Sequence, residues 1–146
     1  MPWVDGSYLV SIHTCTDSGA IRSWLFNHED VTQSQYQSKC ELEQLLFSAD
    51  RLVAHNIKFD LLWLQELGID INKLPSVYCT QVVEYLLRGQ HIKRGELTLE
   101  NLSIEYGIAP KIDKVKLYWQ SGYETDEIPS SILVPYGEQD AINTLV

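Results

Sequence analysis

The chain has 146 residues, of which 45% are apolar, and this length and composition fit one compact core and argue against two domains. Its formal net charge of −9 argues against broad binding to a nucleic-acid backbone, which needs clustered Lys and Arg, so any such contact should be local. Because no apolar run approaches the roughly 18 residues of a membrane span, and because three widely spaced cysteines favour reduced thiols, we expect a soluble intracellular protein with no membrane partner.

The first elements predicted along the chain are a β-hairpin and a short helix. Residues 8–12 and 21–26 are β-prone runs, and turn-forming residues at 16–19 separate them. Ser38 and Glu41 then have the spacing of a capping box, in which the serine accepts from the backbone and the glutamate reaches back. We therefore expect a helix to begin at this pair.

A strand followed directly by a helix is predicted next. Residues 51–55 form a brief apolar run that is typical of a strand. Asn56 is a favourable N-cap for a helix that runs to Leu67, and Gly68 ends that helix. Strand, cap and helix are thus contiguous.

Two more helices are predicted in the second half of the chain. Thr80 and Thr98 are suitable N-caps, and Gly89 and Gly107 end the two segments that follow them. The apolar spacing of the second segment predicts that Ile104 points inward. Helices therefore follow the early strands along the chain.

The last forty residues combine an irregular stretch with a final helix. Residues 108–128 show neither helical nor strand period, so we interpret them as an ordered insertion or a long loop. Pro135 is tolerated at a first helical position, which predicts a helix over 136–146. Early strands with helices interleaved after them predict an α/β domain with a mixed sheet.

Asp60 is the first candidate for chemistry. It lies one turn past the Asn56 cap, at the C-terminal end of a strand, where α/β folds favour active sites. Its neighbours Phe59 and Trp63 are apolar, and such walls raise the free energy of an unpaired charge, which a bound cation would relieve. The alternative is an ordinary first-turn acid that complements the helix dipole.

Tyr136 and Asp140 form the second candidate pair. Their spacing of four residues places the phenol and the carboxylate on the same face of the predicted last helix. A single site can then contain both groups. The alternative is a solvent-facing polar pair on an amphipathic helix.

The two features together resemble a known family. H-N-x-K-F-D at 55–60, followed by Y-x-x-x-D at 136–140, resembles the second and third motifs of the DEDD exonuclease superfamily, in its Tyr-containing branch. Within 116–129, Tyr-Trp-Gln-Ser-Gly and Glu-Ile-Pro are similar to phage polymerases. The chain therefore resembles the 3′→5′ proofreading domain of a family A, phage-type DNA polymerase over nearly its whole length.

The resemblance implies a ribonuclease H-like mixed β-sheet flanked by helices and two-metal-ion hydrolysis with Mg²⁺ or Mn²⁺. The resemblance implies that Asp60 and Asp140 are metal ligands and that Tyr136 orients the attacking water. It also implies that Asn56 and Phe59 contact the terminal nucleotide. The implied partners are a DNA 3′ end and a polymerase domain. The implied location is the cytoplasm of a bacterial or phage-infected cell.

The family's first motif, D-x-E, does not occur in this sequence. Glu41-x-Glu43 has a similar spacing, but on a predicted helix residues i and i+2 diverge. We therefore expect a single domain over 1–146 that lacks the family's first strand, as a fragment truncated at the N-terminus, and truncation at the C-terminus as well stays open. Such a chain should be inactive as given, and its exposed strand edge should weaken it or make it self-associate.

Two alternatives stay open from the sequence. The first is a catalytically dead ribonuclease H-like domain that binds nucleic acid or acts as a scaffold. The second is a ribonuclease D-like RNA exonuclease, which shares the Tyr-containing motif. Against the second stands N-x-K-F-D at 56–60, which looks more like DNA polymerase I relatives.

Overall fold

A computed structural model describes residues 4–89, 91–93, 95–108 and 114–146. No helix in these ranges is both long enough and apolar enough to cross a membrane. The α/β fold expected from the sequence is confirmed, with small sheets flanked by helices.

The predicted hairpin is confirmed, but its first strand lies at 11–15 rather than at the predicted 8–12. Strand β1 (Ser11–Cys15) pairs antiparallel with β2 (Ile21–Leu25), and His13 lies opposite Ser23. The turn between the strands is closed by the Thr16 amide, which donates to the Ala20 carbonyl at 2.9 Å.

Helix α1 (Gln35–Ser48) begins earlier than the sequence predicts. Its N-cap is Ser34, whose hydroxyl accepts from the Gln37 amide at 3.2 Å. The predicted cap, Ser38, lies inside the helix and is buried, so the capping-box prediction is wrong. The helix starts earlier because Ser34 supplies the same hydrogen-bond acceptor one turn before.

Strand β3 (Arg51–Ala54) leads into helix α2 (Ile57–Glu66), as predicted. Asn56 occupies the N-cap position, but it adopts a left-handed conformation with φ 59° and its side chain makes no capping hydrogen bond. Gly68, with φ +79°, follows the helix in a conformation that suits glycine.

A fourth strand, β4 (Ser76–Cys79), was not predicted and pairs parallel with β3. A short 3₁₀ turn (Ile71–Lys73) lies in the connection between α2 and this strand. Three of its four residues are exposed. Its sequence also lacks the alternation of apolar and polar residues that marks a half-buried strand, so the pattern did not predict it.

Two further helices follow close to their predicted positions. They are α3 (Thr80–Arg88) and α4 (Leu99–Glu105). The N-cap of α3 is Cys79, so the prediction of Thr80 as its N-cap is wrong, whereas the Thr98 hydroxyl caps α4 by accepting from the Asn101 amide at 3.2 Å. Ile104 is 65% exposed, so the prediction that it points inward is wrong.

The end of the chain is more helical than the sequence predicts. Helix α5 (Lys114–Gln120) and a 3₁₀ turn (Thr125–Glu127) occupy part of the stretch that we interpreted as irregular, whose residues 109–113 lie outside the described ranges. Helix α6 (Ser130–Leu145) begins before Pro135, which therefore lies inside it. The prediction of Pro135 as the first helical residue is wrong.

The strands form two two-stranded sheets, β1–β2 and β3–β4, and α6 packs against β1, β2 and β3. Two apolar clusters support this arrangement. The first joins the hairpin to α1 and α2 through Trp24, Phe26, Leu42, Leu46, Leu64 and Ile69. The second lies under α5 and α6 and consists of Val10, Val115, Ile128 and Leu133.

Candidate functional site

Tyr136 and Asp140 lie one turn apart on α6, as the sequence predicts. Both side chains are half-buried. The Tyr136 ring packs on the second apolar cluster and meets the Trp119 ring edge to face, with 5.9 Å between centroids. The Oδ1 atom of Asp140 is shielded from solvent. The helix therefore presents a phenol and a shielded carboxylate on one face.

Asp60 lies in the first turn of α2, next to the end of β3. Its side chain keeps an exposed face, yet surrounding protein atoms remove enough water that desolvation raises the pKa of this carboxyl to about 6. A hydrogen bond to its own backbone opposes the shift. This environment fits the sequence argument that apolar neighbours make an unpaired charge at this position unfavourable.

Asn56 and Phe59 lie beside Asp60 on the same turn, and both are exposed. Phe59 is 39% exposed and its ring meets Trp63 edge to face, with 6.3 Å between centroids. The ring is thus held on one side by the buried Trp63 and open to solvent on the other.

His55 fixes the backbone that carries this turn. Its Nδ1 lies 2.9 Å from the Thr80 hydroxyl, and its Nε2 lies 2.8 Å from the Leu97 carbonyl. The carbonyl can only accept, so Nε2 carries a proton. The first residue of the H-N-x-K-F-D motif therefore ties β3 to α3 and to the segment before α4.

Comparison with protein families decides the class of the protein. A family model described as 3′-5′ exonuclease matches residues 7–146. This chain belongs to that exonuclease family. The exonuclease domain is therefore a nuclease by family, and its substrate class is a nucleic acid. Comparison with curated proteins and with solved structures found no significant match.

The exonuclease domain brings some of the predicted site residues onto adjoining elements. Helix α6, which carries Tyr136 and Asp140, packs against β3, and β3 leads into α2, whose N-cap is Asn56 and whose first turn carries Asp60. The convergence of Asp60 with Asp140 on one cleft stays a prediction.

The family normally uses divalent metal ions, and the donors present fit such ions in part. Carboxylate oxygens are the ligands that Mg²⁺ and Mn²⁺ prefer, and desolvated Asp60 is a carboxylate that a cation would stabilise. Within the described ranges, however, no three His, Cys, Asp or Glu side chains are grouped closely enough to hold a metal ion. The described residues therefore do not form a complete two-ion site by themselves.

Sequence reasoning missed a polar network that joins the hairpin to α6. His13 Nδ1 lies 2.9 Å from the Ser23 hydroxyl, and its Nε2 lies 3.0 Å from the Ser11 hydroxyl. Ser23 donates to Glu138 Oε1 at 2.7 Å. Gly137 lies directly against the His13 ring, since a Cβ built there would be 2.0 Å from His13 Cδ2. A glycine inside the Y-x-x-x-D helix was the signal available in the sequence.

Proposed function

We propose that this domain is the 3′→5′ proofreading exonuclease of a family A, phage-type DNA polymerase, acting on single-stranded or frayed DNA 3′ ends in a bacterial or phage-infected cell. One observation carries the proposal. The helix with Tyr136 and Asp140 packs against the strand whose C-terminal end leads to Asn56 and Asp60. The two halves of the motif pattern thus belong to adjoining elements.

The proposed roles follow from the chemistry of each side chain. Asp60 and Asp140 would hold Mg²⁺ or Mn²⁺, and such ions supply an activated water and stabilise the leaving oxygen. Tyr136, held by packing against Trp119, would orient the attacking water through its hydroxyl. The raised pKa of Asp60 supports its role, because a cation beside it would offset the desolvation of the ionised carboxylate.

Asn56 and Phe59 are proposed to contact the terminal nucleotide. Both are exposed beside Asp60, and the Phe59 ring is held in place by Trp63. An exposed ring of fixed orientation can stack on or wedge against a base. Asn56, in its left-handed conformation, does not use its side chain to cap α2.

A second function is favoured by one observation. The sequence contains no D-x-E, and the described residues group no three potential ligands. A domain with two of the family's four carboxylates would keep the fold as a dead nucleic-acid-binding or scaffolding domain. The coding sequence upstream of Met1 distinguishes the two functions, because an in-frame D-x-E strand there favours the enzyme and a stop codon favours the dead domain.

The test is digestion of a 5′-labelled single strand with Mg²⁺ or Mn²⁺, using the natural protein with any upstream D-x-E strand included. We expect Asp140→Ala to lower the rate on the order of 10²–10³-fold and Tyr136→Phe to lower it by up to about 100-fold. Asp17→Ala, an exposed carboxylate in the hairpin turn, is the matched control and should leave the rate unchanged.

Two results would contradict the assignment. A digestion rate for Asp140→Ala equal to that of the unsubstituted protein would remove Asp140 from the site. Faster digestion of an RNA strand than of a DNA strand of the same sequence would favour the ribonuclease D-like alternative.

A further inference from the structure

Helix α5 and the residues just after it expose large apolar side chains, and one of them, Trp119, lies against Tyr136. Trp119 is 43% exposed, Tyr123 is 49% exposed and Leu117 is 60% exposed. The indole belongs to neither apolar cluster, whereas its neighbour Tyr118 packs against the second. Core packing therefore does not account for the position of Trp119.

The Trp119 ring is nevertheless held in one orientation. Its Nε1 donates to the Thr125 hydroxyl at 3.2 Å. Its ring meets Tyr136 edge to face, with 5.9 Å between centroids and an angle of 87° between planes. An indole fixed at its polar edge and against a neighbouring ring, yet open to solvent, is preorganised to receive a planar ligand.

The helix that carries Trp119 is anchored as well. Val115 is fully buried in the second apolar cluster. On the same helix, Lys116 Nζ forms an ion pair with Glu100 on α4 at 2.6 Å. The Tyr118 and Tyr123 rings meet edge to face at 5.3 Å between centroids. Apolar packing, an ion pair and a ring contact thus anchor the surface around Trp119 to the rest of the domain.

We propose that Trp119 is a stacking platform for one of the last two bases of the single-stranded 3′ end. This inference rests on the proposed function, since it needs a DNA end beside Tyr136. Base–aromatic stacking tolerates any sequence, as a nuclease that degrades any end requires. A single strand is the substrate form that fits, because in a duplex the faces of the bases are covered by their neighbours.

The charge of the domain favours a stacking contact over a phosphate contact. A net charge of −9 repels a polyanion, so counterion release contributes little affinity. The cation nearest to Trp119 along α5, Lys116, already pairs with Glu100. Uncharged aromatic contacts therefore have to supply much of the affinity for the strand.

The test measures binding without cleavage. Fluorescence anisotropy of a labelled oligonucleotide is followed in the Asp140→Ala background of the natural protein. We expect Trp119→Ala to raise Kd by about 5- to 100-fold and Trp119→Phe, which keeps an aromatic face, to raise it by about 3-fold or less. Tyr36→Ala, which removes a 78% exposed ring on α1, is the control and should leave Kd unchanged.

Abasic oligonucleotides identify the partner of the indole. An oligonucleotide that lacks the terminal or the penultimate base should bind the Trp119-containing protein more weakly, by a factor similar to the effect of Trp119→Ala. Trp119→Ala should bind this abasic oligonucleotide almost as tightly as it binds the intact one, since removing the base and removing the indole delete the same contact. If the missing base and Trp119→Ala each weaken binding and their effects on Kd multiply, the indole and that base do not contact each other, and the stacking role is overturned.

Fluorescence quenching keeps the test decisive if Trp119→Ala fails to fold. This assay uses the 146-residue chain, whose other tryptophans are the buried Trp24 and Trp63, and Trp3, which lies outside the described ranges and is replaced by Phe. The oligonucleotide should quench the emission of this protein and not that of its Trp119→Phe variant. Equal quenching of the two proteins, or an unchanged affinity of Trp119→Ala, would overturn the stacking role of Trp119 and leave the proposed function standing. Failure of the Trp119-containing protein to bind any single strand would overturn the proposed function itself.

Discussion

His13 shows how a single half-buried side chain joins two elements. Because Ser23 donates its proton to Glu138, its oxygen accepts from His13 Nδ1, and His13 Nε2 in turn accepts from Ser11. The neutral ring thus satisfies both of its nitrogens. Burial lowers the pKa of His13 to about 4, and the Glu138 charge opposes that shift.

The His13 pKa predicts how stability depends on pH. The unfolded chain takes up a proton near pH 6.5, whereas folded His13 does so only at about 4, so the unfolded state is favoured as the pH falls through this window. We expect the free energy of unfolding to decrease from pH 6.5 to pH 4 by up to roughly 3 kcal/mol from this residue. Urea unfolding at several pH values gives the free energy of unfolding of the unsubstituted chain and of His13→Gln. The contribution of His13 is the difference between the two proteins in how steeply this free energy depends on pH.

Direct titration provides the independent check on His13. NMR of the imidazole protons should show a pKa well below that of a histidine in an unfolded peptide. A pKa near 6.5 would contradict the burial argument. The sequence did not single out this residue, because only the pairing of β1 with β2 and the approach of α6 enclose its ring.

Helix α6 illustrates how tertiary packing reverses a helix preference. Glycine inside a helix is less favourable than alanine by about 1 kcal/mol, so Gly137→Ala would stabilise an isolated helix. In the folded chain the added Cβ would meet the His13 ring at 2.0 Å. The close contact between hairpin and helix therefore requires a glycine at this position.

We accordingly predict that Gly137→Ala destabilises the domain by about 1–3 kcal/mol. It should also weaken nuclease activity, because Tyr136 is the adjacent residue on the displaced helix. Thermal melts measure the first effect and the digestion assay the second. In a His13→Ala background the same substitution should become neutral or stabilising by up to about 1 kcal/mol. A destabilisation that persists without the ring would show that the contact with His13 is not the cause.

Element boundaries also show the limit of local patterns. Ser38 and Glu41 have the spacing of a capping box, yet both lie inside α1. Glu41 instead accepts from the Trp24 indole at 3.3 Å and from the Gln33 amide at 2.8 Å. The Glu41 carboxylate therefore accepts hydrogen bonds from the hairpin and from the loop before the helix. A local sequence pattern does not reveal these partners.

At the scale of the whole molecule, α6 lies against both small sheets and carries Tyr136 and Asp140. The polar network of Ser11, His13, Ser23 and Glu138 ties its middle to the hairpin. The position of the candidate site therefore depends on contacts from both ends of the chain rather than on α6 alone.

The overall charge predicts a weak dependence of DNA binding on salt. With a net charge of −9, few phosphates can be neutralised by clustered cations, and each such contact adds about −0.7 to the slope for a single strand. We expect log K to fall with log salt with a slope shallower than about −2. Anisotropy titrations between roughly 50 and 300 mM salt measure this slope, and a value steeper than about −4 would reveal a basic surface that the composition does not suggest.

The sequence by itself determined the hairpin, the unit of β3 and α2, the placement of Tyr136 and Asp140 on one helical face, and membership in an exonuclease family. These features depend on local periodicity, capping and short motifs, whose physical causes lie within a few residues. Only the tertiary structure decided the pairing of β4, the burial of His13 against Gly137 and the exposure of Trp119 beside Tyr136. Those features arise from contacts between residues far apart in the chain, which a local pattern does not specify, although the glycine inside the last helix marks one of them.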